Sequence, residues 1–511
     1  MALVRHAAGE HAAGRLESAI DAYRAVLERR PDLAEGWFYL GNALDQAGRD
    51  EDCLAAYRQA LSLRPDYAKP WVNLGVVLRR QGRIEASEEA LRQAVALAPD
   101  MAEAQLNLGL TLFDKRRPAD AIPVLERACR LQPDNGAAHH YLAVARAAGS
   151  DPRGAVAAAR RAVGCADFPE AHFTLFSLLR ANGGGEAEAL ERCEAAVAAQ
   201  PQSPQLCHVL ARIRLELGLI EAAVAGLGAA LPFLPPDHEA RRLLERMTTG
   251  PSFPASGIQG SQAPARQIYM AAAVERKRGE GRPPRILEVG SYMGASTYTW
   301  ASAAAAFVDQ GTEIVCVDPW DGAELGQYSG DMGHQLGSGV AYRVFRNTLR
   351  HLPKGVRVDH IVGTSRDVLS GLNGLFDIIY LDGRHLYAEV VADIAACDAL
   401  LAPGGFLCGD DLEFQMHEID QAAARANVRF DWMLDERTGQ PFHPGVTLAV
   451  GEAFGPVSVY RGFWIVEKRA DGYASVDLAG ARGWRPRHWS AAAQERACRE
   501  VAADGLLAEI V

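Results

Sequence analysis

The residues best suited to chemistry lie between Arg285 and Leu412, where four short apolar runs each end in glycine or aspartate. They are RILEVG (Arg285–Gly290), EIVCVD (Glu313–Asp318), FDIIYLD (Phe376–Asp382) and GFLCGDD (Gly405–Asp411). Gly290 and Gly294 allow a tight turn and bring backbone N–H groups close to a ligand. Their spacing is G-x-x-x-G rather than the G-x-G-x-x-G of dinucleotide enzymes, so the glycines speak only together with their context. Asp318 follows Gly290 by 28 residues, and an acid placed there can accept hydrogen bonds from both hydroxyls of a ribose. The alternative is that Asp318 caps the turn in DPWDG. The pattern reads as a nucleotide-type cofactor site, with acidic residues that could hold a metal beside it.

Such residues need a scaffold that brings them to one edge. Runs of four to eight residues rich in Ile, Val and Leu, separated by helical stretches, read as buried strands of a parallel sheet. In such sheets ligands bind beyond the carboxyl ends of the strands, where these acids fall. A chain of 511 residues is too long for one core, so at least two domains are expected. The net charge of −11 gives no support to a nucleic-acid role, since phosphate binding needs a basic face. No run of 18 apolar residues and no signal-peptide core are present, which makes a cytoplasmic location and no membrane contact the expectation. Nine cysteines, dispersed and without a C-x-x-C pair, point to reduced core thiols.

The first half is periodic. Pro31, Pro65, Pro99 and Pro133 stand 34 residues apart, and Trp37 and Trp71, Leu40, Leu74 and Leu108, Gly41, Gly75 and Gly109, and Ala60, Ala94 and Ala128 recur in register. This resembles the tetratricopeptide repeat family, whose unit is a helix–turn–helix of 34 residues. The resemblance covers about residues 1–245, with six to seven units, the first incomplete and the fifth loosened at Ala166–Glu170 and Ala181–Glu186. It implies an all-α superhelix with a concave groove for a protein partner; the alternative is a scaffold for dimerisation or for covering the second domain.

With the glycine, Asp318 and acidic positions assembled, residues 285–412 resemble a class I S-adenosylmethionine-dependent methyltransferase, an α/β Rossmann-like fold with a seven-stranded sheet. EVGSYMGAST is similar in particular to the glycine motif of the catechol O-methyltransferases and of metal-dependent O-methyltransferases acting on macrolide sugars. The resemblance implies a cofactor site at Glu288, Gly290, Ser291, Gly294 and Ser296, with Asp318 on the ribose. Trp320 and Gly363-Thr364-Ser365 would lie against the adenine, although a core role suits Trp320 as well. In the strand order of that family Asp382, Asp410 and Asp411 converge beside the reactive methyl group. There they would hold Mg²⁺, because three crowded carboxylates repel without a cation; Asp411 could otherwise cap a helix. His385 stands where the catechol-type enzymes have a lysine base, so His385 and Asp382 are the candidate catalytic residues.

The expected domains are 1–247 for the repeats, 248–284 for a linker and lid helix, 285–470 for the methyltransferase and 471–511 for an extension of unknown role. Gln259 and Gln262 are lid candidates. Arg429–Leu434 and Gly462–Lys468 are expected as antiparallel strands six and seven, with a substrate-side insertion between them that contains His443. The expected reaction is Mg-assisted O-methylation of a sugar or other polyhydroxylated small molecule or glycan, in a chain that could also form homo-oligomers. The alternatives are a protein methyltransferase whose repeats present the target and a repeat adaptor without catalysis.

Overall fold

The computed structural model describes residues 2–165, 168–254, 263–278, 282–308, 311–321 and 335–511. Gln259, Gln262 and part of the loosened segment at 166–170 lie outside the described residues. The chain divides into two compact units, Met1–Leu210 and Ala211–Val511. Helices Ile220–Ala230 and Glu239–Thr249, counted with the repeats on sequence grounds, fall in the second unit.

In the first unit helices alternate in antiparallel pairs, beginning with Ala2–Ala12 and Leu16–Arg29, then Ala34–Gln46 and Asp50–Leu63, then Ala68–Arg80 and Ile84–Leu97. The first pair is therefore present as two helices. The 34-residue register has a hydrogen-bond basis. The Trp37 and Trp71 indoles each donate to the carbonyl six residues back, Pro31 and Pro65, both at 3.0 Å. Gln105 donates to Pro99 O at 2.9 Å, and His139 Nε2 lies 2.9 Å from Pro133 O. At these four turns one carbonyl position is thus satisfied by three donor types. Ala60, Ala94 and Ala128 are buried where the helices cross.

The second unit is built on a mixed sheet. Its strands are β1 (Arg285–Val289), β2 (Thr312–Asp318), β3 (Val356–Val362), β4 (Phe376–Leu381), β5 (Leu401–Gly409), β8 (Ser458–Tyr460), β9 (Phe463–Arg469) and β10 (Gly472–Ser475). Seven strands form the path β10-β9-β5-β4-β1-β2-β3, and β8 is an eighth, paired to the first half of β9. The pairs joining β1 to β5 and β3 are parallel, whereas β9 runs antiparallel to β5. Strand β4 is buried along its whole length, as a central strand covered on both faces must be.

The expectation for Arg429–Leu434 is corrected. Only Met433–Leu434 is extended there (β6), and it pairs with Pro441–Phe442 (β7) in a separate two-stranded sheet. The stretch after it forms a buried helix, Pro444–Phe454, with proline in its first turn. The helix Ala263–Lys277 is more than a connector: Ala265 and Ile268–Val274 are buried, and Tyr269 Oη donates to Asp504 Oδ2 at 2.6 Å on the C-terminal helix Ala491–Asp504.

Within the repeats, a Cβ added at Gly75 would lie 2.5 Å from Leu91 Cγ. Alanine normally stabilises an exposed helix over glycine by about 1 kcal/mol. At Gly75 overpacking outweighs that gain, so Gly75→Ala should destabilise the repeats by about 1–3 kcal/mol. Thermal unfolding followed by circular dichroism checks this; an unchanged or raised midpoint would show that the helices are not packed this closely.

Candidate functional site

The carboxyl ends of β1, β2, β4 and β5 open onto a cavity of about 570 Å³. On one side it is lined by Gly290, Ser291, Ser296, Asp318, Thr364 and Ser365. Gly290 has φ +89°, and a Cβ there would stand 1.9 Å from the Asp382 carbonyl oxygen. No other residue lets the β1 turn pass so close to the end of β4. Asp318 is buried and accepts the backbone N–H groups of Tyr292 at 2.9 Å and Trp320 at 2.7 Å. Burial raises its pKa, and these N–H donors work the other way.

Three of the predicted cofactor residues do not line this cavity. Glu288 turns into the space between sheet and helix, where Ser291 donates to it at 2.8 Å, Thr297 also donates, and Cys316 Sγ lies at 3.3 Å. Burial pushes its pKa up. It fixes the turn from behind. Trp320 packs its ring 4.4 Å from that of Phe345 and donates its indole N–H to Tyr292 O at 2.6 Å, the core role. Gly294 turns the chain with φ +86° against Phe345 and Thr348.

On the other side of the cavity Asp382, Asp410 and Asp411 do come together. The Tyr380 hydroxyl donates to Asp382 Oδ2 at 3.2 Å and lies 3.5 Å from Asp410 Oδ2. The Arg266 guanidinium lies 2.5 Å from Asp410 Oδ1 and 3.0 Å from Asp411 Oδ1. His385 Nε2 is 3.2 Å from Asp411 Oδ2 and 3.9 Å from Asp382 Oδ1, while its Nδ1 is 2.8 Å from Asp431 Oδ1. Burial raises the pKa values of Asp382 and Asp410. For Asp411 burial acts in the same sense, but His385, His443 and Arg266 outweigh it and hold the carboxyl below its ordinary range.

A magnesium ion held by Asp382, Asp410 and Asp411 does not fit this arrangement. Arg266 supplies positive charge here by contacting one oxygen each of Asp410 and Asp411, and His385 and His443 add to it at Asp411. Mg²⁺ requires a near-octahedral shell of oxygens at about 2.0–2.1 Å, and a guanidinium on two of the three carboxylates stands in its way.

Arg266, Asp431 and the role of His443 were not visible in the sequence. His443 stands at the N-cap position of the Pro444–Phe454 helix without a side-chain capping bond, lies 4.8 Å from the His385 ring between centroids, and directs Nδ1 to Glu413 Oε1 at 3.2 Å. The C-terminal segment also contributes: His488 and Trp489 line the cavity, and the Trp489 indole donates to Gln267 Oε1 at 2.7 Å. Arg384 pairs with Glu389 at 2.9 Å, at the start of the helix Tyr387–Leu400.

Residues 287–412 match the protein family described as "Methyltransferase domain". The second unit carries a methyltransferase domain. Tetratricopeptide repeat families match residues 41–82, 72–135 and 106–171, so the methyltransferase domain is fused to a tetratricopeptide array. Among curated proteins, "Uncharacterized protein y4gI" of Sinorhizobium fredii (strain NBRC 101917 / NGR234) is 28% identical over 160 residues, 30% of this chain and 16% of that relative. The chain thus spans about 16% of the length of the curated relative it matches. A tetratricopeptide repeat protein from Parabacteroides merdae ATCC 43184 is similar at 16% identity and TM-score 0.39, over 48% of this chain and 97% of that one. YrrB, titled a TPR protein with an unusual peptide-binding site, is similar at 20% identity and TM-score 0.31, over 37% and 97%. A methyltransferase domain implies use of S-adenosylmethionine.

Asp393, in the wall of the cavity, gives a pH test. Burial raises its pKa from 3.8 to about 6. The stability tied to its protonation is present in full below about pH 3.8 and lost as pH rises through about 6, because the folded state holds a proton that the unfolded chain has released. At about 1.4 kcal/mol per pKa unit the loss is about 2–3 kcal/mol. Asp393→Asn keeps the shape without the charge, so it should raise the melting temperature at pH 7.5 and leave it nearly unchanged at pH 4; an equal effect at both would refute the buried-charge explanation.

Proposed function

We propose that this protein transfers a methyl group from S-adenosylmethionine to a hydroxyl of a sugar-containing or other polyhydroxylated small molecule, with the repeats engaging a protein partner. The observation that carries the reading is one cavity with two chemically different sides. The Gly290 turn and Asp318 suit a nucleoside, and an acid–imidazole cluster faces them. Polar groups of both charge signs, including Asp382, Arg384, His385 and Glu389, suit an acceptor rich in hydroxyls better than an aromatic one.

Bound S-adenosylmethionine supplies a sulfonium methyl that is already activated. Gly290 and Ser291 would hold it through the β1 turn, and Asp318 would accept the ribose hydroxyls. The remaining work for the protein is alignment and proton removal. As the acceptor oxygen forms its bond to the methyl carbon, the carbon–sulfur bond breaks and its electron pair stays on sulfur, leaving S-adenosylhomocysteine. The hydroxyl proton passes to the Asp382–His385 pair. Burial makes Asp382 a stronger base than an exposed carboxylate, and Asp431 fixes the direction of the His385 ring.

Calorimetry with S-adenosylmethionine, together with assays of S-adenosylhomocysteine release from polyhydroxylated acceptors, tests the reading. Asp318→Asn should weaken cofactor binding about 10–100-fold, the worth of charge-assisted hydrogen bonds. Asp382→Asn should lower turnover about 10²–10⁴-fold, the usual contribution of a general base, while cofactor affinity changes little. Lack of cofactor binding by the wild-type chain would end the proposal; methyl groups appearing on proteins instead would redirect it to a protein acceptor.

A further inference from the structure

Next to the Arg266-compensated carboxylates lies a second cluster of different chemistry. We propose that His385, Asp411 and His443 form a binding site for a divalent transition-metal ion such as Zn²⁺, Mn²⁺ or Fe²⁺. The three residues come from the loop after β4, the end of β5 and the cap of the Pro444–Phe454 helix. One ligand atom from each lies within 4.8 Å of the other two. Asp411 Oδ2 is 3.2 Å from His385 Nε2 and 3.9 Å from His443 Nε2. Atoms bonded to one ion at about 2.0–2.2 Å stand about 3–4 Å apart, so little movement is needed to close such a shell.

A second tier of contacts sets both imidazoles the same way. His385 puts Nδ1 on Asp431 at 2.8 Å, and His443 puts Nδ1 on Glu413 at 3.2 Å. Each ring then carries its Nδ1 proton toward a carboxylate and turns Nε2 toward Asp411. A ligating histidine anchored through its other nitrogen by an acid is the usual outer support of a metal site. The backbone reinforces it: a Cβ on Gly445 would stand 2.1 Å from the His385 carbonyl oxygen, so the helix behind His443 abuts the His385 backbone directly. Arg266 holds Asp411 by Oδ1 and leaves Oδ2 to the imidazoles.

Two nitrogens and one carboxylate oxygen favour transition ions over Mg²⁺, which takes oxygen ligands. His385 and Asp411 also line the cavity, so the site borders the space assigned to the acceptor. With Nε2 of His385 engaged, Asp382 is the member of the proton-accepting pair left to take the acceptor's proton. Metal binding itself requires neither cofactor nor acceptor, so the inference goes beyond the methyl-transfer reading and is tested apart from it.

The test is titration of the tag-free full-length chain with Co²⁺, followed by visible absorption, and with Zn²⁺ and Mg²⁺ by calorimetry, both without S-adenosylmethionine. One equivalent of Co²⁺ and of Zn²⁺ should bind, with visible cobalt bands, and Mg²⁺ should not displace them at equal concentration. His443→Asn should weaken binding at least tenfold, and Asp431→Asn about tenfold through the outer support, each with an unchanged circular dichroism spectrum. If His443→Asn does not fold, Glu413→Gln serves in its place and should weaken binding likewise. Failure of the wild-type chain to take up Co²⁺ or Zn²⁺, equal competition by Mg²⁺, or binding indifferent to these substitutions overturns the site and leaves the methyl-transfer reading to its own assay.

Discussion

The acid cluster depends on a buried guanidinium, that of Arg266. Asp382, Asp410 and Asp411 face a single cavity next to the Tyr380 hydroxyl. Isolated carboxylates taken out of water cost several kcal/mol each unless paired and hydrogen-bonded. The Arg266 guanidinium answers this with a single nitrogen, Nη1, that reaches Asp410 and Asp411 together. Removing it would leave carboxylates that must protonate or draw in another cation. Its position depends on the helix Ala263–Lys277, whose buried face and Tyr269–Asp504 bond tie it to the sheet and to the C-terminal helix. The C-terminal segment is thereby part of the cavity's construction.

Much of this was legible in the sequence, and the reason is periodicity. The four apolar runs became β1, β2, β4 and β5 because a central parallel strand is covered on both faces and reads as an unbroken apolar run. The 34-residue repeat was legible from its prolines, glycines and alanines, which occupy fixed packing positions. Its continuation through Gln105 and His139 was not, because what is kept there is a hydrogen bond to a proline carbonyl rather than a residue type. Strand six failed for a related reason. Arg429–Leu434 does alternate, with Phe430, Trp432 and Leu434 on one side, but those three side chains are exposed and β9 takes the place beside β5.

The residues missed at the site share another property: their partners are distant in sequence. Arg266 meets Asp411 across 145 positions, and Asp431 meets His385 across 46. An arginine in an Ala-rich helix carries no local sign of which acids it will meet. Glu288 shows the reverse. Its place two residues before Gly290 suggests contact with a ligand, yet the strand turns that side chain toward Ser291 and Thr297, and it acts by holding the turn.

The loop from Asp382 to Tyr387 is therefore fixed by more than its own side chains. Gly290 abuts the Asp382 carbonyl from the β1 side, and Gly445 abuts the His385 carbonyl from the helix behind it. Both approaches are closer than any Cβ permits, so the position of the loop is set by backbone against backbone. Such contacts have fewer soft degrees of freedom than side-chain packing, because only φ and ψ can absorb a displacement. Asp382 and His385 are thus clamped at their main chains, while Tyr380, Asp431 and Asp411 orient their side chains. A proton acceptor or metal ligand must keep its heavy atoms within a few tenths of an ångström of the productive position, and clamping backbone and side chain separately meets that demand in a loop that has no regular secondary structure of its own.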